Sequence, residues 1–209
     1  MEITTSINLI IAGMGGQGIL LASEILAQLA LGKGYDVKKS EVHGMAQRGG
    51  SVITHVRWGN KIYSPLIRKG EADYILGLEK LETWRASIYA RPEATIIFNT
   101  QEVPPLPVIL GTEVYPSGIE EFLYSHFPKV VGIDGEKYVL RLESARTINI
   151  FFLGVLARFL EFDLANWKEV LHQKVSSKYY KQNWDAFQLG YQEGEMVKVV
   201  PLKAEVKGK

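Results

Sequence analysis

The sequence predicts an α/β fold of three layers, in which helices cover both faces of a mixed, Rossmann-like sheet and a helical extension follows. Three observations carry this prediction. A short apolar run leads into a glycine-rich turn, strand and helix patterns alternate as far as about residue 135, and helical periodicity dominates after that point. We expect residues 1–196 to form a single α/β domain, of which 136–196 is mostly helical, and residues 197–209 to form a flexible, lysine-rich tail.

The first third of the chain has the pattern of a strand–helix–strand unit. Residues 7–12 are a continuous apolar run that ends at a glycine, which is typical of a buried parallel strand. Residues 19–31 are apolar nearly all round, which indicates a helix packed closely on a sheet. Residues 35–42 then read as a second strand and complete a βαβ unit.

A hairpin is the next predicted element. Residues 52–58 are rich in β-branched and aromatic side chains, and Gly59-Asn60 separates them from a second short run at 61–64. A hairpin here makes the sheet mixed. The pattern then predicts strand 74–78, helix 79–89, a break at Arg91-Pro92, strand 94–98, an extended loop at Pro104, Pro105 and Pro107, strand 108–110, a helix from Ser117 and strand 130–134.

Helices make up the remainder of the prediction. Apolar spacing places them at 136–142, 144–161, 165–174 and 177–193. Ser144 and Asp163 stand where N-cap residues are expected.

Composition excludes several classes of function. The 24 basic and 23 acidic residues give a formal net charge of +1, so no overall attraction to nucleic acid is expected. The absence of cysteine excludes disulfides, thiolate zinc sites and a cysteine-ligated iron–sulfur cluster within this chain. Four scattered histidines suggest no metal site. No secretory signal or apolar stretch of membrane-spanning length stands out, so we expect a cytoplasmic protein without nucleic-acid or membrane partners.

The first candidate site is the glycine loop after the first strand. Gly13, Gly15 and Gly18 match G-x-G-x-x-G at a strand-to-helix turn, with Gly16 and Gln17 between them. Glycines allow a tight turn and close approach of a ligand, and the helix N-terminus favours a phosphate or carboxylate. The alternative is that these glycines only allow the helix to pack closely on its strand.

The second candidate site is the polar segment from Glu41 to Ser51, between two predicted strands. Arg48 could hold a phosphate or carboxylate through two parallel hydrogen bonds. His43 could donate a proton, although a passive loop histidine is favoured because no partner for it is evident. Polar and glycine residues are denser here than folding requires, which indicates function: the segment holds His43, Gly44, Met45, Gln47, Arg48, Gly49 and Gly50.

Three further features have interpretations of their own. Glu79 and Glu82 read as the solvated start of a helix, placed favourably near its positive end. Asn149 lies inside an apolar helix and needs partners, so it either caps a neighbouring loop or faces the site. The four tryptophans are expected in packing or interfaces.

Together, the two glycine-containing segments are similar to a known family. G-M-G-G-Q-G at 13–18 followed by S-E-V-H-G-M-A-Q-R-G-G-S-V at 40–52 resembles the gamma-type domain of the 2-oxoacid:ferredoxin oxidoreductases, and within it the beta subunits of indolepyruvate ferredoxin oxidoreductases. Further matches at Ser64-Pro65, Tyr115-Pro116 and Leu153-Gly154, among others, extend the resemblance over nearly the whole chain.

The resemblance implies a subunit of a heteromeric enzyme. In that family a larger partner subunit carries thiamine diphosphate, magnesium and iron–sulfur clusters, and the complex converts an arylpyruvate and coenzyme A to an acyl-CoA while reducing ferredoxin. By this analogy the matching positions would face the partner's active site or the region where coenzyme A enters: Gly13, Gly15, Gly16, Gln17, Gly18, His43, Gly44, Met45, Gln47, Arg48, Gly49 and Gly50. No catalytic residue and no metal ligand is assigned.

Two other functions remain open from the sequence. A stand-alone Rossmann-type oxidoreductase would bind a nucleotide by itself, although the predicted hairpin and the second glycine-rich segment count against it. A non-catalytic module would use both segments only to bind a partner.

Overall fold

The computed structural model describes residues 6–43, 49–142 and 145–196, and of residues 43, 139–142 and 145 it describes the backbone alone. In this part of the chain, six strands form one mixed sheet. The strand order is β2-β3-β1-β4-β5-β6. The strands are β1 Ile7–Met14, β2 Asp36–His43, β3 Ser51–Gly59, β4 Ala72–Gly77, β5 Ala90–Asn99 and β6 Lys129–Ile133.

The helices alternate with these strands and then follow them. They are α1 Ile19–Gly32, α2 Lys80–Ala86, α3 Leu106–Ile109, α4 Ile119–His126, α5 Gly135–Leu142, α6 Ile148–Ala157, α7 Leu164–Lys174 and α8 Ser177–Met196, with 3₁₀ turns at Ser87–Tyr89 and Ala145–Thr147. None of the described helices is both long and apolar enough to cross a bilayer.

The position of β3 differs from the predicted hairpin and from a simple βαβ unit. It runs antiparallel between β2 and β1, so that Trp58 lies opposite Val37 on one side and Ile7 on the other. Both edges of β3 are therefore occupied, and residues 61–64 cannot pair with it. The backbone N–H of Ile62 instead donates to the Asp36 carboxylate at 2.9 Å. The sheet is mixed, as predicted, but the reason is that β3 runs antiparallel between β2 and β1, which are parallel to each other.

Side chains that alternate along β1 create the two hydrophobic cores. Leu9 and Ile11 point to the face covered by α1, α6, α7 and α8, whereas Ile10 and Ala12 point to the face covered by α2 and α4. All four side chains are fully buried. The predicted three-layer arrangement is thus confirmed.

Helix α6 belongs to the core of the first face and crosses α8 in close contact. A Cβ atom on Gly154 of α6 would overlap the backbone carbonyl of Phe187, and one on Gly190 of α8 would overlap that of Phe151. The predicted helix over 144–161 ends at Ala157. The C-terminal helices are therefore packed against the sheet rather than projecting from it.

Two elements between the last strands differ from the prediction. The segment expected as strand 108–110 falls in the short helix α3 and the residue after it. Proline is tolerated in the first turn of such a helix. The predicted break at Arg91-Pro92 falls inside β5, at the shift in its register with β4.

The two predicted N-caps have different outcomes. Asp163 occupies the N-cap position of α7, but its side chain accepts no hydrogen bond from that helix and pairs with Lys33 at 3.1 Å. Ser144 lies outside the described residues, as does the predicted tail at 197–209.

Candidate functional site

The glycine loop lies at the carboxyl end of β1 and turns directly into α1. Gly16 and Gly18 have φ angles of +102° and +79°, which L-residues with a side chain adopt at a cost. Gly16 is exposed, and a Cβ built on it would have no neighbour within 4 Å among the described residues. Gly13, by contrast, is buried, and a Cβ there would lie 3.1 Å from Leu78 Cβ. Packing thus explains Gly13, whereas Gly16 presents open backbone.

The side chain of Gln17 closes the loop from within. Its Oε1 accepts the N–H of Met14 at 2.8 Å, and its Nε2 donates to the Leu78 carbonyl at 3.2 Å. Both polar ends of this side chain are therefore used inside the protein. Gln17 can hold the loop in shape for a ligand without touching that ligand.

The end of the second segment hydrogen-bonds to the first loop. The N–H of Gly15 donates to the Gly50 carbonyl at 2.8 Å, and the N–H of Gly49 donates to the Gly15 carbonyl at 3.3 Å. His43 ends β2 with its backbone opposite Val52. The predicted site residues Gly15, Gly49 and Gly50 therefore lie together. Four others lie outside the described residues: Gly44, Met45, Gln47 and Arg48.

The N-terminus of α1 is open to an anion. Gly18 is the N-cap and provides no side-chain hydrogen bond, and the first turn of α1 contains no acidic residue. The first amides of a helix lack partners within the helix, and its dipole places partial positive charge there. A phosphate or carboxylate approaching Gly16 would therefore meet the partial positive charge of this helix start.

Asn149 supports the loop from the neighbouring helix α6. Its Nδ2 donates to the Gly18 carbonyl at 3.0 Å, and the residue is 2% exposed. Its Oδ1 has no hydrogen-bond partner among the described residues. Of the two interpretations, the capping of a neighbouring loop is confirmed, and that loop is the candidate site.

The N-terminus of α2, at the same end of the sheet, already binds a carboxylate of the protein, that of Glu79. Glu79 is fully buried, and its carboxylate accepts hydrogen bonds from the N–H of Glu82 at 2.9 Å, the N–H of Val103 at 3.0 Å and the hydroxyl of Tyr115 at 2.7 Å. Burial raises the pKa of Tyr115, and the hydrogen bond to the Glu79 carboxylate raises it further, so the hydroxyl stays a neutral donor.

Glu82, in the first turn of α2, is also buried. It is 3% exposed and accepts hydrogen bonds from the hydroxyl of Ser51 at 2.5 Å and from Arg85 at 2.7 Å. The expectation of a solvated helix start at Glu79 and Glu82 is therefore wrong. The physical reason is that the segment from Val103 to Tyr115 folds over the start of α2 and supplies donors to the Glu79 carboxylate.

Asn99 is a buried polar residue at the same end of the sheet that sequence reasoning missed. It is 1% exposed, its Nδ2 donates to the Leu78 carbonyl at 3.3 Å, and its Oδ1 accepts the N–H of Gly135 at 3.1 Å. It thus joins the carboxyl end of β5 to the starts of α2 and α5. The signal that could have found it is a polar residue directly after the apolar run of β5, at the sheet edge where such folds bind ligands.

These groups suit binding of an anion rather than metal or nucleophilic chemistry. They are backbone amides, side-chain amides and a helix N-terminus. No group of three histidine or acidic residues able to hold a metal ion occurs in the described ranges.

The chain is similar to one family of known proteins. The family model for pyruvate ferredoxin/flavodoxin oxidoreductase matches residues 8–193. Indolepyruvate oxidoreductase subunit IorB of Pyrococcus horikoshii is 37% identical over 188 residues, which cover 88% of this chain and 93% of that protein. The same subunit of Thermococcus kodakarensis is 36% identical over the same shares of the two chains.

Two solved structures share the fold. The gamma subunit of a keto/oxoacid ferredoxin oxidoreductase from Geobacter sulfurreducens superposes with a TM-score of 0.68 at 18% identity, over 91% of this chain and 99% of that one. A 2-oxoglutarate:ferredoxin oxidoreductase from Magnetococcus marinus, with 2-oxoglutarate, coenzyme A and succinyl-CoA bound, gives a TM-score of 0.70 at 18% identity, over 95% of this chain and 32% of that one.

Proposed function

The chain belongs to the pyruvate ferredoxin/flavodoxin oxidoreductase family, and from that premise we propose that it is a subunit of an indolepyruvate-type 2-oxoacid:ferredoxin oxidoreductase. The complex would oxidatively decarboxylate an arylpyruvate, form the acyl-CoA and pass two electrons to ferredoxin. The identity to the IorB subunits over most of the chain supports this proposal most directly.

Thiamine diphosphate, magnesium and iron–sulfur clusters are assigned to a larger partner subunit. This chain has no cysteine and therefore cannot hold a cluster through thiolates. Its described residues also lack a group of acidic side chains and histidines suited to a metal. The chain alone would therefore be inactive, because the electrons must pass through another polypeptide.

The role proposed for this chain is to form one wall of a site shared with that partner. The observation that carries the proposal is the open N-terminus of α1, which has exposed Gly16 backbone before it and no acid in its first turn. Coenzyme A is a suitable ligand for such a surface because its phosphates are anionic. The Magnetococcus marinus protein of similar fold was solved with coenzyme A bound, which supports this choice of ligand.

Some of the matching residues would contact the ligand, and others would hold the loop in shape. Gly16 and Gly18 would present backbone, Gly15 would join the loop to Gly49 and Gly50, and Gln17 would hold the loop closed. We extend the proposal to the second segment, where His43, Gly44, Met45, Gln47, Arg48, Gly49 and Gly50 would continue the same wall. Arg48 would bind a phosphate or carboxylate.

Co-expression with the thiamine-dependent partner tests this function. The purified pair is expected to reduce ferredoxin or a viologen dye when indolepyruvate and coenzyme A are supplied, and neither chain alone is expected to do so. Activity of the partner alone would instead indicate a non-catalytic binding module, and tight binding of NAD(P) or a flavin by this chain alone would indicate a stand-alone oxidoreductase.

Arg48→Ala tests the site within that active pair. We expect a higher KM for coenzyme A, because a charge-assisted contact to the ligand is lost. Unchanged kinetics in a stably assembled pair would remove Arg48 from the proposed wall.

The domain organisation is a separate proposal. We propose that residues 1–196 act as one domain and that 197–209 form a tail. Limited proteolysis of the full chain should remove the tail first and leave one stable fragment, and an early cut within 1–196 would contradict it.

A further inference from the structure

A cavity lies at the opposite end of β1 from the glycine loop. It has a volume of about 420 Å³ and opens where β1, β2 and β4 begin, beside the link between α6 and α7. The eight residues of β1 separate the two ends by roughly 25 Å. A cavity of this size accommodates a small organic molecule, since ligand pockets typically start at roughly 300 Å³.

Aromatic side chains form its floor and walls. Trp58, which is 3% exposed, lies beneath Phe162, with 6.1 Å between the ring centroids. Tyr74 forms another wall and is held in place because its hydroxyl donates to the Phe159 carbonyl at 2.9 Å. Tyr35 stands at the rim and is 39% exposed. The walls are therefore formed by packed rings that need no rearrangement to receive a ligand.

The charged group at this cavity is a carboxylate. Glu161 lies on the exposed rim and has no ion pair or hydrogen bond with any described residue. The lining residues include neither lysine nor arginine. Of the neighbouring cations, Lys33 contacts Asp163 at 3.1 Å and Arg158 contacts Glu195 at 3.3 Å, whereas Lys61 follows the lining residue Asn60 and acts on Asp36. The cavity thus combines aromatic side chains with one carboxylate at its rim.

We propose that this cavity binds a small organic ammonium ion with an apolar body, such as an arylalkylamine. Ring faces attract a cation through their quadrupole, and the Glu161 carboxylate adds direct attraction between opposite charges. An anion of the same size would be repelled by the Glu161 carboxylate. This inference goes beyond the proposed oxidoreductase role and does not depend on it, because the site lies wholly within this chain.

An NMR titration of the full-length chain with three matched probes tests the proposal. Phenethylammonium, neutral 2-phenylethanol and anionic phenylacetate share one ring and differ in charge. We expect phenethylammonium to bind at least about 3-fold more tightly than 2-phenylethanol, and phenylacetate to bind most weakly. Its resonance shifts should centre on the Trp58 indole N–H and on the amides of Ile7 and Tyr74.

Two exposed residues allow the site to be altered without disturbing the core. Glu161→Gln should weaken phenethylammonium binding by up to about 5-fold, and Tyr35→Ala by about 3-fold or more. Glu121→Gln and Tyr63→Ala, which change exposed residues that do not line the cavity, should leave it unchanged. Equal affinity for all three probes, shifts centred elsewhere, or no binding of the ammonium at millimolar concentrations would each overturn the proposal.

Discussion

Helices α1 and α2 start at the same end of the sheet, after the neighbouring parallel strands β1 and β4 and on opposite faces, yet only one of their N-termini holds a carboxylate of the protein. The start of α2 holds the buried carboxylate of Glu79, which accepts three hydrogen bonds, and Glu82 lies in the same turn. The start of α1 has Gly18 as its N-cap and no acid in its first turn. One helix dipole is neutralised by the protein, and the other is left open.

This difference indicates where an anionic ligand can be held. At α2, Val103 and Tyr115 already donate to the carboxylate at the helix start. At α1 the backbone of Gly16 is exposed, with no neighbour to a Cβ built there among the described residues. We therefore place the ligand-facing wall at α1 and assign a structural role to the start of α2.

Removal of the buried carboxylate at α2 should have the largest effect. Glu79→Ala leaves the N–H groups of Glu82 and Val103 and the hydroxyl of Tyr115 without an acceptor in a buried site. We expect a loss of roughly 3–4 kcal/mol in the free energy of unfolding, measured by urea denaturation. The exposed control Glu93→Ala should change it by less than about 0.5 kcal/mol. If Glu79→Ala were equally mild, the start of α2 would not be a structural centre.

Gly18→Ala should have the next largest effect, because it alters the N-cap of α1. A Cβ there would overlap the Asn149 amide, in addition to the cost of the positive φ. We expect a loss of roughly 2–3 kcal/mol. Gly118→Ala is the matched control, since Gly118 is the N-cap of α4 with φ +76° and open space around it. Equal losses in the two variants would show that the Asn149 contact contributes nothing.

The sequence alone was sufficient to predict what depends on local pattern. The glycine loop, strand β1 and helix α1 follow from apolar spacing and from a motif only six residues long. The predicted hairpin at 59–60 was wrong because local pattern does not show which strand edges are already taken, and β3 has none free.

Burial of polar side chains could not be predicted in the same way. Glu79 is buried by donors at Val103 and Tyr115, 24 and 36 residues further along the chain. The role of Asn149 depends on a contact 131 residues away, at Gly18. Such pairings are set by the packing of whole elements, and no spacing within one sequence encodes them.

Gly16→Ala tests the role of the exposed backbone before α1. The backbone strain at its positive φ should reduce the free energy of unfolding by roughly 1–2 kcal/mol. Gly70→Ala, at φ +77° with open space around it and remote from the loop, should cost a similar amount. In the reconstituted pair only Gly16→Ala should lower kcat/KM for coenzyme A. Equal activities in the two variants would mean that the exposed backbone of Gly16 does not face the ligand.

The most direct measurement places a carboxylate at the open helix start. Leu20 is the second residue of α1 and is 51% exposed. Leu20→Glu should raise the free energy of unfolding by about 0.3–1 kcal/mol, because an acid now complements the helix dipole. In the reconstituted pair it should raise the KM for coenzyme A several-fold relative to Leu20→Gln, with kcat unchanged. A KM equal to that of Leu20→Gln would contradict the assignment of the anion to the start of α1.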